Sequence, residues 1–105
     1  MQVSVPPGFY RAKNTVEECV KEGNSLKVDD AKFVTSIISE LHQGLKSGTD
    51  GSNLEIIQGA LGFLRGHTKE IAEADEEQTK IREMEMETIK EAETILKERL
   101  KRKGE

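Results

Sequence analysis

The side chains in this sequence best suited to chemistry are two histidines and one cysteine, His42, His67 and Cys19, and their spacing decides what they could do. A zinc or catalytic metal site needs several such ligands together, usually with pairs a few residues apart. Neither histidine has a cysteine or a second histidine at that distance, and no Glu-x-x-His repeat offers a carboxylate-bridged metal. His42 falls at the edge of an apolar helical face and His67 at a helix junction between Gly66 and Thr68, so border and capping roles are expected. Cys19 sits between Val16 and Val20 and reads as a small buried hydrophobe, because no His or Arg flanks it to stabilise a thiolate. Being alone, it cannot form an internal disulfide. Asp50, Ser52, Asn53 and Glu55 loosely resemble a calcium loop, but the D-x-[DN]-x-[DN]-G spacing and the distant bidentate Glu are missing. A turn followed by a helix cap is expected there instead. Phosphate-loop, HExxH, CxxC and GxSxG signatures are likewise absent. The expectation is a non-catalytic chain without metal or cofactor.

A second chemistry is electrostatic. In the run KERLKRKGE, residues 97–105, Lys101, Arg102 and Lys103 are candidate contacts to the phosphates of DNA or RNA or to acidic lipid. The same residues also serve simply to complete a helix dipole. A net charge of −4 argues against binding nucleic acid over the whole surface. No aromatic side chain is interleaved with the basic ones, so a base-stacking platform is not expected.

The elements that must position these residues read as helices. The chain is 105 residues long, 34% hydrophobic and 34% charged, with no Trp, one Tyr and three Phe, which permits one domain with one modest core of aliphatic residues. The fold class expected is all-α: a short helix, a helical hairpin and one long C-terminal helix behind an extended N-terminal arm. Pro6, Pro7 and Gly8 disfavour helix and assign residues 1–13 to the arm. Thr15 with Glu18 suggests a capping box for a first helix over about 15–22, ended by Gly23. Asp29 and Asp30 open a second helix whose apolar positions, Phe33, Val34, Ile37, Ile38, Leu41 and Leu45, recur at helical spacing up to Gly48. SGTDGS, residues 47–52, is a turn, and Ser52 with Glu55 caps a third helix. The hairpin body would occupy residues 14–67.

The third helix contains GALGFLRG, residues 59–66, where each glycine costs up to ~1 kcal/mol against alanine. At about 100° per residue, Gly59, Gly62 and Gly66 gather on one flank beside Phe63. That arrangement suggests a surface where a second backbone can approach closely. The alternative is that Gly66 ends the helix and Thr68 caps the next.

From Thr68 to Lys103 no Gly or Pro interrupts the chain, and one helix of ~50 Å is expected over residues 68–105. Acidic residues crowd its start and basic ones its end, as its dipole favours. A heptad seam from Ile71 contains too many polar members for a strong zipper, whereas a stripe including Met84, Ile89, Leu96 and Leu100 fits a 3.6-residue period. A hairpin of about 35 residues is too short to cover such a helix. Ile89, Ile95, Leu96 and Leu100 are therefore expected at an interface with another copy of the chain, together with Phe63 and with Gly59 and Gly62 allowing close approach.

No run approaches the ~18 apolar residues of a membrane span, and the first residues lack the pattern of a secretory signal, so a cytoplasmic protein is expected. In general type, small highly charged helical chains with an N-terminal arm are frequent among phage and mobile-element accessory and assembly proteins. The function expected is that of an adaptor, assembly factor or inhibitor that binds protein and self-associates through its long helix. The alternative is a small DNA- or RNA-binding regulator using the hairpin and the basic tail.

Overall fold

The computed structural model describes residues 5–47 and 54–103, with Lys103 described by its backbone alone. Among these residues the chain forms α1 (Phe9–Glu22), α2 (Val28–Ser47), α3 (Leu54–Thr68) and α4 (Glu76–Lys103), and no strand. Of the turn expected at 47–52, Ser47 is instead the last residue of α2, and the rest of that turn with the Ser52 cap lies outside the described residues.

The first helix starts earlier than its sequence suggests. The Phe9 N–H donates to the Pro6 carbonyl at 2.9 Å, Gly8 is the N-cap, and α1 is under way by Phe9. The physical reason is burial: Phe9, Ala12, Val16 and Cys19 fall on one face and all enter the core. Phe9 to Lys13 therefore belong to a helix, not to an extended arm, and Thr15 is no N-cap. It lies inside the helix and donates to the Arg11 carbonyl at 3.0 Å. Gly23 ends α1 as expected, at φ 71°, with the Gly23 and Asn24 N–H groups reaching back to Val20 and Cys19.

The boundary between α3 and α4 also moves. Gly66 does not end α3, which continues to Thr68, and the Thr68 hydroxyl donates to the Leu64 carbonyl of its own helix instead of capping the next. The long helix expected from residue 68 begins only at Glu76: residues 69–75 are not helical, and Ile71 within them is buried against the core. The cap of α4 is Asp75, whose Oδ1 accepts the Gln78 N–H at 2.9 Å, while Gln78 Oε1 accepts the Ala74 N–H at 2.9 Å. Arg82 holds the linker down, donating to the Ile71 carbonyl at 2.7 Å and pairing with Glu73 at 3.5 Å.

Contacts along α4 define the packing. From Leu26, just before α2, upward along that helix, the Leu26 carbonyl meets Gln78, Thr35 meets Glu85, His42 meets Glu91 and the Leu45 carbonyl meets Arg99, so α2 and α4 run parallel. Thr68 meets Met86 and Arg65 meets Glu93, so α3 runs antiparallel to α4. The hairpin thus straddles the long helix, and α1 packs on α2 and α3. This corrects the premise that the hairpin cannot cover the long helix. Ile89 and Ala92 are fully buried and Leu96 nearly so, in one core with Ile38, Ile57, Leu61 and Leu64.

Candidate interaction groove

The first turns of α2 and α4 lie side by side at one end of the molecule, and the seam between them is incompletely filled. A cleft of about 380 Å³ opens there, with Val28, Ala31 and Thr35 on α2 facing Gln78 and Ile81 on α4, and Lys32, Ser36, Asp75 and Glu77 around the rim. Val28 is 65% exposed, which leaves an aliphatic side chain standing in water at the mouth. Apolar surface of this kind gains free energy when a partner covers it, about 25 cal/mol per Å².

Beyond the cleft lining lies a buried carboxylate, bonded to one of the lining residues, Thr35. Glu85 is 7% exposed, and its Oε2 accepts the Thr35 hydroxyl at 2.8 Å. Burial pushes its pKa up, offset in part by the Thr35 hydrogen bond and the Arg82 charge. A charged group taken out of water needs such partners. The pair therefore ties α2 to α4 next to the cleft, which Thr35 lines and Glu85 does not.

The residues singled out in the sequence are distributed differently. Ile89 and Leu96, expected at an interface with another copy, are inside the chain's own core, and Ile95 and Leu100 are half-buried against it. Gly59 and Gly66 are exposed, and a Cβ built on Gly59, Gly62 or Gly66 would meet nothing within 4 Å. No described part of the chain uses the close approach these glycines permit. Gly62 instead borders a second cleft of about 390 Å³ between α3 and α4, together with Arg65, Glu93, Lys97 and Leu100. Phe63 is half-buried, with the His67 ring stacked on it at 4.1 Å and Phe9 edge-on at 6.5 Å.

His67 Nδ1 lies 3.2 Å from the Phe63 carbonyl, and His42 is buried with Nε2 3.5 Å from Glu91. The Cys19 thiol donates to the Asn24 carbonyl at 2.8 Å, and burial raises its pKa. Among the described residues no group of three or more His, Cys, Asp or Glu is placed to hold a metal ion. Lys101 and Arg102 are exposed at the far end of α4. There Lys46 from the end of α2 shares a cleft with Arg99 and Arg102, a cationic contribution that the linear sequence did not reveal.

The α2–α4 groove was also missed, since Val28 lies outside the apolar stripe of α2 and Ile81 reads as one more core position of α4. The usable signal was Val28 standing a full turn and more before that stripe begins. Compared with known proteins, the chain matches no family model, no curated protein and no solved structure. No helix among the described residues is long and apolar enough to cross a membrane.

Proposed function

We propose that this chain is a helical interaction module that docks another protein surface in the groove between the first turns of α2 and α4. The observation that carries this reading is the open aliphatic surface of Val28, Ala31 and Ile81 inside a polar rim of Asp75, Glu77, Lys32 and Ser36. An apolar floor with a charged rim is the usual anatomy of a protein-binding surface. The work is binding, not catalysis, as befits an adaptor, assembly factor or inhibitor. Interaction through Ile89 and Leu96 is no part of the reading, because they already serve the core.

A photo-crosslinking residue at Ser36, on the rim, is expected to capture protein in the native host, whereas one at the exposed Glu17 of α1 is not. Ile81→Asp should abolish the Ser36 adduct. Equal labelling from both positions, or adducts indifferent to Ile81→Asp, would refute the reading.

A second reading, contact with nucleic acid at the opposite end, is favoured by the convergence of Lys46 with Arg99 and Arg102 beside Lys101. It calls for binding to labelled DNA or RNA that weakens steeply with salt and is lost in the Lys101→Glu, Arg102→Glu, Lys103→Glu variant.

A further inference from the structure

The charges of this molecule are sorted along its length. Residues 69–77, KEIAEADEE, hold five acids against one lysine, a net −4, and residues 97–103, KERLKRK, hold five bases against one glutamate, a net +4. Lys46 adds to the basic end by lining the same cleft as Arg99 and Arg102. The 28 residues of α4 span ~42 Å at 1.5 Å per residue, close to the 45 Å long axis of the molecule.

At physiological salt, where screening acts over ~8 Å, charges this far apart do not neutralise each other within one molecule. A helix dipole explains about half a unit charge at each terminus, far less than the side chains supply. The acidic end also carries the unfilled groove with Val28, Ala31 and Ile81, whose rim holds Asp75 and Glu77 against one cation, Lys32.

From this we infer that the occupant of the groove is the basic end of a second copy, so that molecules associate head to tail. The inference rests on the reading of the groove as a docking surface and names its partner. The half-buried Leu100 and the methylene stems of Lys97 and Lys101 meet the aliphatic floor, and their ammonium groups and Arg102 meet Asp75, Glu77 and the exposed Glu76 and Glu70. Because unlike ends meet, the contact is heterologous: it closes into a ring or runs on as a filament, and it does not form a two-fold dimer. A second copy suits the basic end better than nucleic acid does. The chain is net negative, Glu98 interrupts the basic run, and the aromatic rings, Phe9, Tyr10, Phe33 and Phe63, all lie on other parts of the fold.

The test is light scattering over a concentration series, on protein before and after nuclease treatment, from about 0.02 M to about 0.5 M salt. Two variants accompany the wild type: Glu70→Lys, Glu76→Lys, Glu77→Lys, which spares the Asp75 cap and the Glu73–Arg82 pair, and Lys97→Glu, Lys101→Glu, Arg102→Glu. At low salt the wild type is expected to at least double its mass above the 11.7 kDa monomer and to return to monomer at high salt. Each variant alone should stay monomeric while retaining its helical circular dichroism. Mixed in equal amounts the two should associate again, since one now has two basic ends and the other two acidic ones.

A wild type that is monomeric at low salt overturns the inference, as does association indifferent to salt, which needs no folded variant to observe. Folded variants that fail to associate on mixing overturn it too, and association lost on nuclease treatment assigns the basic end to nucleic acid. The Ser36 crosslink separates the two levels. A foreign-protein adduct alongside a monomeric wild type keeps the groove and retires its proposed occupant, whereas no adduct retires both.

Discussion

Truncating Ile89 tests whether α4 is covered by its own chain. Ile89 has no exposed surface, and Ile89→Ala removes three carbons, worth ~2.4 kcal/mol at about 0.8 kcal/mol each. The cavity left between α4 and the hairpin raises the expected loss to ~3–4 kcal/mol, within the range found for such truncations. A chain of 105 residues has a total stability of ~5–15 kcal/mol, so a large fraction of it disappears. At about 4–8 °C per kcal/mol for a domain near this size, the melting temperature should fall by on the order of 12–30 °C. The assay is urea unfolding followed by circular dichroism in about 0.5 M salt, where charge-driven association is screened. The midpoint should not depend on protein concentration. A loss below ~1 kcal/mol would refute the reasoning. So would a midpoint that climbs with concentration, because a second copy would then be supplying the cover.

Gly59→Ala and Gly62→Ala should each stabilise the fold by ~0.5–1 kcal/mol, since the new Cβ meets nothing within 4 Å and helix propensity improves; unfolding midpoints that stay level or fall would contradict this. Gly23→Ala, at φ 71°, should instead cost ~1–2 kcal/mol in the same assay. Glu85 has a raised native pKa, so its effect on stability is most favourable below the ordinary carboxylate range and is lost as pH rises through the raised value. Glu85→Gln, which keeps an acceptor for Thr35, should therefore be more stable than the wild type at neutral pH, with the difference shrinking in acid; a pH-independent difference in melting temperature would refute the assignment. Asp75→Ala removes the cap of α4 and should cost ~1 kcal/mol, with faster amide exchange at Gln78, whose N–H it accepts; unchanged exchange there would count against the cap.

The amino-acid pattern alone determined that this chain is helical, that α2 presents Val34, Ile37, Ile38, Leu41 and Leu45 to a core, and that Gly23 closes α1. These follow from local rules: apolar spacing near 3.6 residues and a left-handed turn that glycine adopts without strain. Periodicity also picked out Ile89 and Leu96 as buried positions. It could not say against what they are buried, because a stripe looks the same whether a neighbouring helix or a second molecule covers it. Only the tertiary structure settled that, by laying α2 parallel and α3 antiparallel to α4. The same packing started α1 at Phe9, whose ring is buried; Pro6 and Pro7 precede the Gly8 N-cap and so interrupt no helical hydrogen bond. It ended α3 at Thr68, since a threonine hydroxyl serves equally well to cap the next helix or to bond its own preceding turn. The α2–α4 groove depended on it most of all. A cavity is the space that side chains from distant parts of the chain fail to fill, and Val28 and Ile81, 53 positions apart in the sequence, carry no local sign that they meet.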